Sequence, residues 1–296
     1  MREERRVSGA APRTSSRTLL RQVFRKPYNS GLAVRSAFFP WYSVSVFSPS
    51  EVEYFERNGF VVVRSLADRE QCERMKTLAQ RHLTHDVQPV EYEAQTKYPG
   101  SPESLDAPGG TTVRRLLQVY ARDPLFGDWA TSRAIRDRLT SLMGPQLALS
   151  QAHHNCVMTK NPAFSSATAW HQDIRYWSFE KPELISVWLA LGQEHEENGC
   201  LLLVPGSHRI DFRREQFDDA LFLREDLQEN REILGGRIAA ELDEGDVLFF
   251  HCRLLHAAGR NRTGLTKFAA VFTYHSAGNP PLAGTRSASL PSMALV

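Results

Sequence analysis

The chain has 296 residues, 42% hydrophobic and 24% charged, the composition of a globular protein long enough to bury a full core. No apolar run approaches the roughly eighteen residues a membrane helix requires, so an integral helical membrane protein is excluded and no membrane partner is expected. The net charge of +2 is uneven: residues 1–40 hold nine Lys/Arg against Glu3 and Glu4, a net of +7, so the remainder carries −5 and the body of the protein has no electrostatic reason to bind nucleic acid.

Residues 1–45 read as a basic, disordered N-terminal extension, although the Arg- and Ser-rich composition also matches a transit peptide. Ser48 then caps a helix over Pro49–Asn58, with Pro49 at its first position, Glu51 and Glu53 near its positive end and Gly59 at its stop. Phe60–Val63 is a β-branched strand. Asp68 caps a second helix, whose apolar face is Cys72, Met75, Leu78 and Ala79. Residues 84–111, with Pro89, Pro99, Pro102, Pro108 and Gly109-Gly110, form a long loop of the kind that carries function. A third helix spans Ser132 to Met143 and closes at Gly144-Pro145. From 146 to 275 short apolar runs (147–158, 184–191, 200–204, 247–251 and 267–274) alternate with turn signals, which predicts a barrel or a double-sheet jelly roll. The expected fold is therefore α+β, mainly β, with flanking N-terminal helices. Residues 46–276 make one domain, Asp211–Glu232 an exposed insertion and 277–296 a loose C-terminal tail. Cys72, Cys156, Cys200 and Cys252 lie far apart without CxxC spacing, which favours a reducing, cytoplasmic location over a disulfide scaffold or a cysteine zinc cluster.

His171 and Asp173 are two residues apart, a spacing that puts an imidazole and a carboxylate on one face of a strand. A second segment, Gly245 to Phe250, reads as a turn leading into an apolar strand, and His256 follows its end. If the fold brings His256 beside the other two, the set is the two-His, one-carboxylate triad of non-haem Fe(II) oxygenases. Zinc usually takes a fourth ligand and does no redox work. His251, inside the apolar run, reads as a core or supporting histidine. His153 and His154 face opposite ways on one strand and read as packing, and His208 reads as structural.

Two blocks, WHQDIRYWSFEKPELISVWLALGQEHEENGCLLLVPGSHR from Trp170 and GDVLFFHCRLLHAAGRNRTGLTKFAAVFTY from Gly245, give the chain its resemblance to the phytanoyl-CoA dioxygenase family of Fe(II)/2-oxoglutarate oxygenases, over about residues 48–276. The resemblance implies a double-stranded β-helix (jelly-roll) core and Fe(II) held by His171, Asp173 and His256. It also implies 2-oxoglutarate as co-substrate, O2, ascorbate as an activator, and hydroxylation of a small-molecule substrate with release of succinate and CO2. The family places a basic residue, usually Arg, eleven positions after the distal histidine to hold the far carboxylate of 2-oxoglutarate. Here that residue is Lys267, a point charge in place of a planar fork, with Arg260 and Arg262 as nearby substitutes. Trp188 and Cys156 match co-substrate pocket positions, Gln172 lies between two ligands, Arg115 corresponds loosely to a basic contact, and Ala258 stands where the family often has Ser. Asp173 favours hydroxylation or desaturation over halogenation, since related halogenases lack that carboxylate. Arg175 and Tyr176, with Trp177 and the 84–111 loop, are candidates for the substrate mouth and suit an anionic or ring-bearing substrate. The alternatives are a cupin-like metalloenzyme and a jelly-roll protein that binds metal or ligand without turnover. Oligomeric state is left open.

Overall fold

The structure, a computed structural model, describes residues 46–295; the expected N-terminal extension lies outside the described residues. The helices are α1 (Pro49–Asn58), α2 (Arg69–Thr84), α3 (Glu93–Thr96), α4 (Val119–Arg122), α5 (Pro124–Ala130), α6 (Arg133–Met143) and α7 (Gln228–Leu234). The strands are β1 (Phe60–Val63), β2 (Val90–Tyr92), β3 (Val113–Leu117), β4 (Leu147–Lys160), β5 (Thr168–His171), β6 (Leu184–Ala190), β7 (Leu201–Leu203), β8 (Ile238–Ala239), β9 (Val247–His251), β10 (His256–Ala258), β11 (Lys267–Ser276) and β12 (Met293–Leu295). No helix among the described residues is long and apolar enough to cross a membrane.

The caps read from sequence are in place. Ser48 and Glu51 make a reciprocal capping box at the start of α1, and Gly59 ends the helix in the left-handed region at φ 79°. Asp68 and Ser132 accept from backbone N–H groups at the starts of α2 and α6. The strands pair antiparallel into a large sheet, ordered β1-β9-β6-β11-β4-β3-β2 with β12 added to β4, and a small sheet ordered β5-β10-β7-β8. Together they form the jelly-roll core, which is not a closed barrel. Side-chain alternation divides the burial. On β11, Phe268, Ala270, Phe272 and Tyr274 pack toward Met75, Phe126, Ile135 and Leu139 of the helices. Ala269 and Val271 point the other way, into a second cluster with Trp188, Leu203 and Phe250 between the sheets. The small side chains of that second face leave the space in which the site is built.

Three regions differ from the sequence reading. Residues 277–295, expected to be a loose tail, fold back on the domain: Met293–Leu295 pairs with β4, Asn279 bonds both backbone groups of Lys181, and the buried Ser287 bonds His153 Nε2 and the Ser178 N–H, each at 2.7 Å. Composition hid this because the segment is tied down by backbone and hydroxyl hydrogen bonds rather than by an apolar stripe. The segment Asp211–Glu232, expected to be exposed, buries Leu223 and Gln216 and sends Phe222 to the cavity wall. The 84–111 loop contains β2 and α3, and α3 carries the buried Glu93.

The Gly245-Asp246 turn fixes the entry to β9. Asp246 is buried and accepts from Arg64 and from the Ser65 and Asp243 N–H groups. Gly245 has φ +88°, and a Cβ there would lie 2.4 Å from the Ala67 carbonyl oxygen. Gly245→Ala is expected to cost about 2 kcal/mol or more, from backbone strain and the clash together, as a lowered midpoint in denaturant unfolding.

Candidate active site

β5 and β10 lie side by side in the small sheet, and their register puts His256 directly opposite His171. The rings are 4.2 Å apart between centroids. Asp173 follows β5 in a short turn of 3-10 helix. Its Oδ1 lies 3.8 Å from His171 Nε2 and 3.6 Å from His256 Nε2, and one ligand atom from each of the three residues falls within 4.8 Å of the others. All three side chains are buried. His171 Nδ1 is 2.8 Å from the Ala169 carbonyl and His256 Nδ1 is 2.9 Å from the Leu254 carbonyl. A carbonyl only accepts, so each Nδ1 carries the proton and each Nε2 presents a lone pair to the same point. Burial and the facing His256 hold the His171 pKa well below the usual imidazole range, which keeps that lone pair available at neutral pH. Two imidazole nitrogens and one carboxylate oxygen, oriented in advance on one side of a shared point, suit an Fe(II) ion with open positions.

The other carboxylate oxygen is held from behind: Asp173 Oδ2 is 3.4 Å from Ser186 Oγ and 3.5 Å from His154 Nδ1. Sequence reading did not assign that support to His154. The simple alternation assumed for His153 and His154 fails because the β4–β11 register jumps, from Asn155 opposite Phe272 to Ser150 opposite Thr273, so Gln151–His154 bulge out of the ladder. Burial is the main force lowering the His154 pKa to about 4, so this ring is neutral beside the carboxylate. His251 stays away from the triad; its Nδ1 accepts from the Arg253 N–H at 3.1 Å, and its ring packs on His208 at 5.3 Å.

The triad lies on the wall of a cavity of about 570 Å³ between the sheets. Cys156, Trp188, Arg175, Tyr176 and Arg115 all reach this cavity. Gln172 does not: it faces away from its neighbours on either side, and its amide nitrogen donates to the Arg253 carbonyl, which removes it as a co-substrate contact. Lys267 points inward and is buried. It is not free, however, because its Nζ lies 2.7 Å from Glu194 Oε2, and Glu194 Oε1 accepts from Trp188 Nε1 at 2.8 Å. Glu194 and Lys160, which also lines the cavity, are the site residues missed by sequence reading. Glu194 lies 73 positions from its partner, with no local pattern linking the two.

A family profile, Phytanoyl-CoA dioxygenase (PhyH), matches residues 55–269. The chain belongs to the phytanoyl-CoA dioxygenase family. Family relatives include a probable phytanoyl-CoA dioxygenase of Caenorhabditis elegans, 24% identical over 74% of this chain and 72% of that protein, and the human peroxisomal phytanoyl-CoA dioxygenase, 24% identical over 74% of this chain and 65% of that protein. Ectoine dioxygenase of Bordetella parapertussis is 26% identical over 80% of this chain and 79% of that protein. Among solved structures, EctD from S. alaskensis with 2-oxoglutarate and 5-hydroxyectoine matches with a TM-score of 0.65 at 19% identity, covering 82% of this chain and 80% of that one. The epimerase SnoN with Fe3+ and alpha ketoglutarate matches with a TM-score of 0.65 at 22% identity, covering 82% and 89%. These structural likenesses concern the fold. Family membership and the His-Asp-His cluster together make the protein an Fe(II)- and 2-oxoglutarate-dependent oxygenase.

Two stability outcomes follow from the buried ionisable groups. Glu194→Ala leaves the Lys267 ammonium buried without its counter-charge and is expected to cost about 3–5 kcal/mol in equilibrium unfolding. Burial, the leading cause in both cases, lowers the His251 pKa to about 4 and the His153 pKa to about 3. Both rings titrate at higher pH in the unfolded chain, so between pH 6.5 and about 4 the unfolded state binds more protons. Unfolding free energy measured against pH should be level with respect to these groups above that window and fall through it on acidification, with a shallower fall in His251→Leu.

Proposed function

We propose that this oxygenase hydroxylates an unactivated C–H bond of a small molecule carrying an anionic group, with His171, Asp173 and His256 holding Fe(II). The observation that carries the reading is the convergence of two Nε2 lone pairs and Asp173 Oδ1 on the wall of a cavity rich in cations. When bound there, Fe(II) with 2-oxoglutarate and O2 supplies the oxidising power for the C–H bond, and the co-substrate leaves as succinate and CO2.

The chain's own residues position and exclude. The Ala169 and Leu254 carbonyls lock the two imidazoles, while Ser186 and His154 fix the carboxylate. Lys267 meets the distal carboxylate of the co-substrate, and Trp188 and Cys156 line its path. Glu194 holds the Lys267 Nζ in place. Asp173 occupies the position that a halide would need, which supports hydroxylation over halogenation.

The mouth supports the anionic substrate. Seven Lys/Arg side chains line the cavity against two carboxylates, Glu91 and Asp173. Arg175 lies 4.4 Å from the Tyr176 ring centroid and 3.8 Å from that of Phe222, and one guanidinium nitrogen donates to the Leu221 carbonyl. Its remaining N–H groups suit a carboxylate or phosphate. The Tyr176 and Phe222 rings also stand about 6 Å from the His171 ring, so the anchored group lies close to the metal ligands.

Protein supplied with Fe(II), ascorbate, 2-oxoglutarate and O2 should form succinate, and His256→Ala and Asp173→Ala should reduce this to background. Under anaerobic conditions the Fe(II) protein should develop a visible charge-transfer band on adding 2-oxoglutarate; no band at saturation would defeat the reading. In a substrate screen, carboxylates and phosphates should stimulate succinate formation more than their neutral esters or amides, and Arg175→Ala should abolish that preference.

A further inference from the structure

We propose that Lys160 is a second anchor for the distal carboxylate of 2-oxoglutarate, acting with Lys267 as a two-ammonium clamp. The inference rests on the oxygenase reading above and assigns a residue that the sequence reading did not single out.

The argument begins with strand register. β4 and β11 are antiparallel neighbours, and Lys160 is paired directly with Lys267. Directly opposed residues project to the same side of a sheet, so both lysines share the face of Cys156, Ala269 and Val271 between the two sheets. Both are buried, at 8% and 6% exposure, and both reach the cavity. Like charges directly opposite each other destabilise a strand pair, and more so in a dry interior, unless an anion lies between them.

One carboxylate serves this pair. Glu194 bonds Lys267 at 2.7 Å, whereas Lys160 has no carboxylate within ion-pair distance among the described residues. Its Nζ donates to the Ser166 carbonyl at 3.0 Å and to the Gly259 carbonyl, so one of its three N–H donors is uncommitted. Arg114, the next buried cation, is already balanced by Glu93 at 3.4 Å and adds no spare negative charge. Burial, with the Arg114 and Lys267 cations nearby, holds the Lys160 pKa well below the usual lysine range, so a single carboxylate arriving from outside is what would stabilise its ammonium form, the form that has the third N–H to give.

The location suits that ligand. Gly259, whose carbonyl holds the Lys160 ammonium, directly follows Ala258, a cavity residue with no side-chain donor. Lys160 therefore supplies a hydrogen bond on the side where the β10 side chain cannot. A planar guanidinium offers two N–H groups to one carboxylate. Here two separate ammonium groups, one on each strand, take over that task.

The test compares two keto acids in anaerobic titrations of Fe(II) protein, read by the charge-transfer band. 2-Oxoglutarate carries the distal carboxylate and 2-oxopentanoate lacks it. Lys160→Met keeps the apolar stem of the side chain and removes its terminal nitrogen. It should weaken 2-oxoglutarate binding about 10- to 100-fold, the loss of one charge-assisted hydrogen bond, and leave 2-oxopentanoate binding unchanged. Lys267→Met should show the same selective loss. Equal weakening of both keto acids in Lys160→Met would make the residue structural, a cap on the Ser166 and Gly259 carbonyls, and would overturn the proposal. Unchanged 2-oxoglutarate affinity would overturn it too while leaving the oxygenase reading intact. A wild-type protein that gives no band with either keto acid would overturn both.

Discussion

In the small sheet, His256 lies across from His171 on neighbouring antiparallel strands, and this pairing makes a metal site out of residues 85 positions apart. Side chains alternate along a strand, so a slip of one residue would turn one imidazole out of the cavity. The pairing is held from several directions. β10 is also laddered to β7, the Leu255 N–H donates to Ser207 Oγ, and the Leu255 carbonyl accepts from the Val204 N–H. Leu254 and Leu255 are fully buried, and the Phe250 ring meets His256 edge-on at 5.3 Å. The strand that carries the distal ligand is only three residues long, so its position depends on these neighbours rather than on its own ladder.

Electrostatics is the second constraint. The fold buries several cations around one cavity and balances them in pairs: Arg115 with Glu91, Arg114 with Glu93, and Lys267 with Glu194. Removing charges from water is expensive, and such pairs persist when further hydrogen bonds satisfy them, as Trp188 does for Glu194 and as Ser166 and Thr168 do for Arg114. The positive charge left over is what an anionic co-substrate and an anionic substrate would meet. The arrangement thus stores binding energy in the folded protein before any ligand arrives.

Two segments that lack strong patterning complete the cavity. The C-terminal stretch hangs on Ser287 and Ser292 hydroxyl bonds to His153 and His275 and brings Ser289 and Leu290 to the wall. The stretch before α7 is organised around the buried Asn230, which bonds Gln216 and the Arg224 carbonyl, and it carries Phe222 to the His171 ring. Both elements are ordered by hydrogen bonds of polar side chains, which leave little trace in hydropathy.

Much of this was legible in the chain. Helix starts and stops at Ser48, Gly59, Asp68, Ser132 and Gly144 obey local capping chemistry, and the long strands show as apolar runs because each buries one or both faces. The three metal-ligand candidates were legible through their motif spacing and family resemblance. Other features were not. β5 and β10 are short, and their inward positions carry imidazoles where apolar residues would announce a strand. The His153–His154 bulge, the inward turn of Lys267 onto Glu194, the outward turn of Gln172 and the presence of Lys160 opposite Lys267 all depend on which strand lies beside which. Capping and periodicity act over a few neighbouring residues and are written in the local sequence. Register and charge pairing act across the sheet between distant residues, and only the folded chain decides them.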